Sequence, residues 1–233
     1  MKVTFIRHSC FLVEIGERAL LFDYYDGSLP EISRDSELLI FSSHAHWDHF
    51  SDKIFEPGIA GDRTRYFLSD DISREAVPED MLPRVTFVSP HRTIWLSQGN
   101  EDEIRIDTLK SNDLGTAFVI RQGEEAIYHA GDLNNWWWDG DALDMRLADR
   151  YHRELQRIRG MHFKAAFVPL DPRLKGYDLG IRDFLEYCTA DHIFPMHFAE
   201  NFGVIDKFLS GQGVSGFAGC VERIGRFGQS FEL

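Results

Sequence analysis

Short apolar runs bounded by polar or turn residues recur along this 233-residue chain and limit it to a strand-rich fold. Leu38–Phe41 is apolar throughout, which is typical of a strand buried on both faces. Lys2–Arg7 alternates instead, which is typical of a strand with one buried face. The predicted strands are Lys2–Arg7, Phe11–Ile15, Ala19–Phe22, Leu38–Phe41, Val85–Val88, Thr93–Leu96, Ile104–Leu109, Ala117–Ile120, Ala126–Tyr128 and Ala165–Val168.

Helical periodicity lies between and after the later strands. One apolar stripe with steps of three and four residues ends before Gly160, a residue suited to a helix terminus. Its members are Leu143, Leu147, Tyr151, Leu155 and Ile158. Similar stripes lie within Ile181–Cys188 and Val204–Leu209. Because no Pro/Gly/Ser-rich linker interrupts the chain, we predict one α/β (α+β) domain over residues 1–233, with at least one mostly antiparallel sheet.

Composition excludes several classes of protein. The 38 acidic and 25 basic residues give a net charge of −13, which disfavours general binding to a phosphate backbone. No apolar run reaches the roughly 18–20 residues of a membrane span, and Met1–His8 is too short and charged for a signal peptide. Three cysteines without a CxxC spacing predict neither a disulfide framework nor a zinc ribbon, so we expect the reducing cytoplasm. We expect Glu101-Asp-Glu103 to be a solvated turn.

The segment Ser43–Phe50 holds three histidines and one aspartate within six residues, directly after the apolar run Leu38–Phe41. In extended backbone, alternate residues project to one side, so we expect His44, His46 and Asp48 to converge. His49 would then face elsewhere, as a ligand for a second ion would if the chain turns there into a helix. Neutral imidazole and carboxylate are the ligands that suit Zn(II), Fe(II) and Mn(II), so the sequence predicts a metal site here.

Four segments together resemble a known family. The motif His-x-His-x-Asp-His at residues 44–49 resembles the signature of metallo-β-lactamase-fold hydrolases. Tyr128–Asp132 resembles the Gly-Asp element of that family, and Phe194–Phe198 resembles its last histidine element. The opening Ile6–Phe11 resembles the start of the branch that contains ascorbate-6-phosphate lactonase and many uncharacterised metal-dependent hydrolases.

The resemblance implies a four-layer αββα sandwich with metal ions at one sheet edge. It implies one or two divalent transition-metal ions, with zinc favoured and manganese or iron as alternatives. It also implies that Asp132 bridges two ions and that His197 completes the second site. The predicted metal ligands are His44, His46, Asp48, His49, Asp113, Asp132 and His197.

Asp113 is in that set because the chain departs from the family pattern. The family usually supplies a further histidine before the Gly-Asp strand, but Leu109–Gly115 contains none. Asp113 is the best chemical substitute, with Asn112 or Ser111 as weaker candidates, and His129 could also turn inward. His91 lies further upstream, and we expect it to be a surface or loop histidine.

Other residues have predicted roles beside the metal. We expect His8 to lie near the site and to act with Asp48 in catalysis, and Asp23 to orient a ligand imidazole. Among Trp136-Trp-Trp138, at least one ring is expected to flank the metal cleft or an oligomer contact, with Trp136 as the candidate for substrate contact. Arg173 and Tyr177, on the loop that follows Ala165–Val168, are candidates for binding an anionic substrate.

The function predicted from these residues is hydrolysis by a metal-bound hydroxide of a small, anionic ester, lactone or phosphoester. The chain has no G-x-S-x-G, Walker or Rossmann motif. Alternatives are a nuclease of the same fold, a di-iron redox protein, and a non-catalytic metal-binding protein with a degenerate first site. The expected partner is a small-molecule substrate; membrane is excluded, nucleic acid is disfavoured, and a homo-oligomer is left open.

Overall fold

The computed structural model describes residues 1–33, 35–97 and 103–233. The first two residues of the predicted acidic turn, Glu101 and Asp102, lie outside this range. The chain divides into two compact units. The first consists of Met1–Ser89 with Gly225–Leu233, and the second is Pro90–Ile224. The prediction of a single domain stays a prediction.

A seven-stranded sheet forms the first unit, with the strand order β13-β1-β2-β3-β4-β5-β6. The strands β13, β1, β2 and β3 pair antiparallel, whereas β3, β4, β5 and β6 pair parallel. Short helical turns in the described part of this unit lie at Asp52–Phe55, Arg74–Ala76 and Leu82–Arg84. The strands are β1 Lys2–Arg7, β2 Cys10–Ile15, β3 Arg18–Phe22, β4 Glu37–Ser42, β5 Thr64–Ser69, β6 Val85–Val88 and β13 Ser230–Glu232.

An aromatic ladder crosses the middle of this sheet. Phe11 lies opposite Phe22, Phe22 opposite Phe41, and Phe41 opposite Phe67. The rings of Phe22 and Phe41 stack with centroids 5.0 Å apart, and those of Phe41 and Phe67 with centroids 5.1 Å apart. All four rings are buried. Because stacked aromatic pairs each add about 0.5–1.5 kcal/mol beyond burial, this ladder helps to fix the register of the strands that precede the histidine motif.

The second unit contains a six-stranded sheet in the order β12-β11-β10-β9-β8-β7. The strands β7 to β10 pair antiparallel, and β10, β11 and β12 pair parallel. This sheet is therefore the mostly antiparallel one that the pattern predicts. Its strands are β7 Thr93–Leu96, β8 Ile104–Lys110, β9 Thr116–Gln122, β10 Glu125–His129, β11 His162–Pro169 and β12 Thr189–Met196.

The α-helices among the described residues of the second unit are α1 Ala142–Arg157, α2 Leu179–Tyr187 and α3 Gly203–Leu209. Asp141 caps α1, because its side chain accepts hydrogen bonds from the backbone N–H groups of Leu143 and Asp144. Tyr151 and Leu155 of the predicted apolar stripe are buried, whereas Leu143 is exposed. A further short helical turn spans Ala218–Cys220.

Parallel strands place their carboxyl ends at one edge of each sheet, and the polar residues follow at those ends. In the first unit, Asp23 follows β3 and the histidine motif follows β4. In the second, Asp132, Asp171 and His197 follow β10, β11 and β12. Loops at the carboxyl ends of parallel strands are the usual position of ligand sites in such sheets.

The predicted mixed α/β class is confirmed, with two large sheets and few helices. The pattern missed β5 and β13, and it identified β12 only through the segment Phe194–Phe198. No helix among residues 1–33, 35–97 and 103–233 is long and apolar enough to cross a membrane.

Candidate functional site

The histidine motif forms a tight turn directly after β4. The backbone N–H groups of His49 and Phe50 both donate to the carbonyl oxygen of His46, at 2.9 and 3.0 Å. The predicted extended backbone is therefore wrong. The helical turn Asp52–Phe55 follows directly, with Ser51 as its N-cap. Side chains of the motif thus meet through the turn and not through strand alternation.

His44 and His46 form the closest pair of candidate ligands. Nε2 of His44 lies 2.9 Å from Nδ1 of His46, and the two rings meet edge to face. His44 is fully buried, and its Nδ1 lies 3.0 Å from the hydroxyl of Ser43. Two imidazole nitrogens bound tetrahedrally to one zinc ion at 2.0–2.1 Å would lie roughly 3.3 Å apart. The donor set therefore fits a transition-metal ion.

Asp48 groups with His8 and His49 and not with His44 and His46. The three side chains each offer a ligand atom, and these atoms lie within 4.8 Å of one another. Oδ2 of Asp48 lies 3.5 Å from Nε2 of His8. His8 has a φ of +53°, a strained value for a residue with a side chain, and one that is common at functional sites. His49 faces His44, with ring centroids 4.1 Å apart.

Asp23 forms hydrogen bonds with two residues of the segment Ser43–Phe50. Its Oδ1 accepts the backbone N–H of Ser43 at 2.7 Å, and its Oδ2 accepts the Ser43 hydroxyl at 2.8 Å. Oδ2 also lies 2.7 Å from Nδ1 of His49, and the carboxylate is completely buried. A carboxylate at Nδ1 keeps the proton there, so Nε2 of His49 presents its lone pair to a ligand. This is the orienting contact predicted for Asp23.

The second unit repeats this arrangement with Asp132, His197 and Asp171. Nε2 of His197 lies 3.4 Å from Oδ1 of Asp132, and its Nδ1 lies 3.1 Å from Oδ2 of Asp171. His197 is nearly buried and has a φ of +63°. Burial lowers the pKa of His197, but the negative charges of Asp132 and Asp171 raise it by more than burial lowers it. The pKa of His197 is therefore above its usual value. Each unit thus holds an imidazole against a buried carboxylate.

Arg173 braces Asp171 from its other side. The guanidinium donates from Nε to both carboxylate oxygens, at 2.9 and 3.0 Å. Burial alone would raise the pKa of Asp171, but hydrogen bonds from His197 and Arg173 hold it well below its usual range. The carboxylate therefore stays ionised at neutral pH. The residue predicted to bind a substrate anion is already engaged with a protein carboxylate.

In the loop from Ser111 to Gly115, the side chain of Asp113 contacts different groups from those that Ser111 and Asn112 contact. A carboxylate oxygen of Asp113 lies within 4.8 Å of one of Asp132. Asn112 instead uses its amide as a brace, donating to the carbonyl oxygens of Asn134 and Leu147 at 2.7 and 2.9 Å. The Ser111 hydroxyl accepts the backbone N–H of Asp113 at 3.1 Å and shapes the turn.

His129 and His91 have structural partners of their own. Nδ1 of the buried His129 accepts the backbone N–H of Gly131 at 3.2 Å, and Gly131 has the positive φ of +51° that this turn requires. His129 belongs to none of the candidate metal-binding groups that the described residues form. Nε2 of His91 lies 2.9 Å from Glu154. Among the candidates for the missing histidine, Asp113 belongs to the same candidate metal-binding group as Asp132.

The sequence also predicts that Trp136 and Tyr177 contact the substrate. The ring of Trp136 meets His197 edge to face at 5.4 Å between centroids, and its Nε1–H donates to the carbonyl oxygen of Asp132 at 2.9 Å. Trp136 is buried, whereas Trp138 is exposed. Tyr177 lies under the Lys207 ammonium, 4.0 Å from its ring centroid. Trp136 therefore packs on the His197 cluster.

Comparison with known proteins identifies the family. The model of the beta-lactamase superfamily domain matches residues 2–141. The chain belongs to the beta-lactamase superfamily. The matched range includes the histidine motif and Asp132. The resemblance to metallo-β-lactamase-fold hydrolases is therefore confirmed, and the narrower branch stays a prediction.

This superfamily member is similar to other proteins in sequence and in structure. A UPF0173 metal-dependent hydrolase of Opitutus terrae is 27% identical over 225 residues, which cover 86% of each chain. The structure of Igni18, a metallo hydrolase from Ignicoccus hospitalis, matches with a TM-score of 0.65 at 17% identity and covers 100% of this chain and 98% of that one. The diiron beta-hydroxylase CmlA from Streptomyces venezuelae matches with a TM-score of 0.59 at 17% identity, over 100% and 54% of the two chains. These two structural likenesses show the fold alone.

Sequence reasoning missed one residue of this superfamily member's candidate site. Asp171 lies in the segment Pro169-Leu-Asp-Pro172, but the sequence analysis assigns roles only to Arg173 and Tyr177 further along this loop. A signal was present, because Asp171 follows the buried strand β11 as Asp23 follows β3. Only the fold shows that the histidine after β12 lies next to it.

Proposed function

We propose that this protein, a metal-dependent hydrolase of the beta-lactamase superfamily, acts on a small anionic ester, lactone or phosphoester. The observation that carries the proposal is the repeated pairing of an imidazole with a buried carboxylate, His49 with Asp23 and His197 with Asp171. Buried carboxylates that fix the tautomer and the angle of a histidine are typical of metal ligands.

The proposed metal ligands are the seven residues that the sequence predicts. They are His44, His46, Asp48, His49, Asp113, Asp132 and His197. A bound divalent cation would supply an acidified water and a Lewis acid for the substrate oxygen. Zinc is the proposed ion because imidazole nitrogen dominates the set, and manganese or iron would suit it better if Asp113 and Asp132 both bind.

Asp48 is the proposed general base. Its carboxylate is partly exposed, so it is open to solvent and substrate, and Oδ2 lies 3.5 Å from Nε2 of His8. We assign to Oδ2 of Asp48 the proton released from the attacking water. His8 would steady the carboxylate and then share that proton. Trp136 would exclude water from one side of His197, since its ring packs edge to face against that imidazole.

The test is metal content together with hydrolysis. We expect wild-type protein purified from metal-replete medium to carry roughly one to two equivalents of a divalent transition metal and to hydrolyse aryl ester or phosphodiester substrates. His46→Ala should lower the metal content, and Asp48→Ala should abolish hydrolysis in a folded protein. His162→Ala is the matched control, because His162 is an exposed histidine paired with Asp191 outside the proposed ligand set.

Two results would contradict the proposal. Full activity in Asp48→Ala would remove the general base from the mechanism. Metal content below about half an equivalent would favour a non-catalytic protein whose first site is degenerate.

A further inference from the structure

The second unit contains a cleft of about 720 Å³ between the end of β8 and the helix α1. One wall is the face of α1 that carries basic residues at steps of three and four. The other wall is the loop that contains Asp113. The charged residues that line the cleft are Lys110, Asp113, Arg150, Arg153, Glu154 and Arg157.

Positive charge in this cleft is largely uncompensated. Among the described residues, no carboxylate forms an ion pair with Lys110, Arg150 or Arg153. Glu154 is already engaged, since it accepts the backbone N–H of Lys110 at 3.1 Å and lies 2.9 Å from Nε2 of His91. The cleft is therefore locally positive in a chain whose net charge is −13.

The shape of the cleft selects the size of its ligand. Concave sites of about 300–1,000 Å³ are typical for small molecules, whereas a polyanion is bound along an open, extended surface. Arginine guanidinium groups bind phosphate and carboxylate oxygens through two parallel hydrogen bonds. A small molecule with a phosphate or similar oxyanion group therefore fits both the volume and the charge.

The cleft is also connected to the candidate ligands. Asp113 lines it and lies within 4.8 Å of Asp132, measured between carboxylate oxygens. Asn112 ties the same loop to the backbone after Asp132, because its Oδ1 accepts the N–H of Asn134 at 3.2 Å and its Nδ2 donates to the Asn134 carbonyl at 2.7 Å. An anionic group held by the arginines would be fixed relative to Asp132.

We infer that Arg150 and Arg153 bind a phosphate-type oxyanion of a small substrate and thereby select anionic over neutral substrates. This rests on the proposed function for its consequence in catalysis, but the binding of the anion does not depend on hydrolysis. The anion-binding arginines thus lie on α1, whereas the sequence predicts Arg173 for this role.

The test measures binding and selectivity separately. Titration calorimetry of the metal-loaded protein with glycerol 2-phosphate should show saturable binding. Arg150→Gln and Arg153→Gln should each weaken it about tenfold, because each removes charge-assisted hydrogen bonds. The second readout is kcat/KM for two aryl esters, the 4-nitrophenyl esters of acetic acid and of phosphonoacetic acid. Both variants should lose the preference for the charged ester and keep the rate with the neutral one.

Arg146→Gln is the matched control, since Arg146 lies on the same helix one turn before Arg150 but does not line the cleft. It should bind glycerol 2-phosphate as the wild type does. Equal weakening in Arg146→Gln, or no saturable binding by the wild type, would overturn the inference. Tighter binding of a short single-stranded RNA with the same arginine dependence would also overturn it in favour of a polyanion. Anion binding without hydrolysis of either ester would support the cleft while refuting the proposed function.

Discussion

Replacing Asp23 by asparagine tests the orienting contact in the first unit. Asparagine keeps the shape, and its amide oxygen still accepts one hydrogen bond. Its NH₂ group cannot accept the proton on Nδ1 of His49, which lies 2.7 Å from Oδ2 in the wild type. To keep a hydrogen bond, the imidazole must move its proton to Nε2, the nitrogen that we assign to the metal.

The expected loss can be estimated in two ways. A hydrogen bond to a charged, buried acceptor contributes about 1.5–3 kcal/mol. Loss of a residue that orients a metal ligand typically costs about 10–100-fold in metal affinity, which corresponds to roughly 1.4–2.7 kcal/mol. Because the two estimates agree, we expect Asp23→Asn to bind Zn²⁺ about 10–100-fold more weakly than the wild type.

The assay is competition for Zn²⁺ with a chromophoric chelator at neutral pH, with the fold checked by circular dichroism. Asp26→Asn is the control, because Asp26 is a half-buried aspartate three residues further on that pairs with Lys53 and Arg7. It should bind Zn²⁺ within about twofold of the wild type, as expected for surface ion pairs. A folded Asp23→Asn protein with wild-type zinc affinity would refute the reasoning.

Three further predictions concern the second unit and the core. Asp171→Asn should weaken Zn²⁺ binding about 10–100-fold in the same assay. The pKa of Asp171 in the folded protein is lowered from 3.8, so the ionised carboxylate stabilises the fold above about pH 4, and this stabilisation is lost as the pH falls below that value. The free energy of unfolding of the metal-free wild type, measured with denaturant, should therefore depend more steeply on pH in this acidic range than that of Asp171→Asn. Asp113→Ala should lower metal content, Asp113→His should retain it, and His129→Ala should leave it unchanged. Phe41→Ala should lower the free energy of unfolding in urea by about 3–5 kcal/mol, because it opens a cavity in the aromatic ladder.

The sequence predicted the class of fold because buried strands leave a strong local signal. Leu38–Phe41 is apolar at every position, and it forms β4 in the parallel part of its sheet. Thr64–Ser69 was missed because its polar ends and single arginine weaken the same signal in β5. Thr189–Met196 begins with polar residues and contains a proline, so only its last residues predicted a strand.

The chemical types of the candidate ligands could be predicted, but their grouping could not. Asp48 lies with His8 and His49 because the motif folds into a turn, and that turn depends on bonds from Asp23, twenty residues upstream of Ser43. Asp171 likewise gains its role only when parallel pairing of β11 and β12 brings His197 beside it. These contacts are set by tertiary structure and leave no local pattern.

The central claim is that the histidines and aspartates of this chain hold divalent metal. The most direct test is an anomalous difference map, recorded at the metal edge from crystals of protein grown in metal-replete medium. We predict one or two peaks, each coordinated by side chains of the proposed ligand set. A map with peaks only at surface pairs such as His162 and Asp191, or with none, would contradict the account.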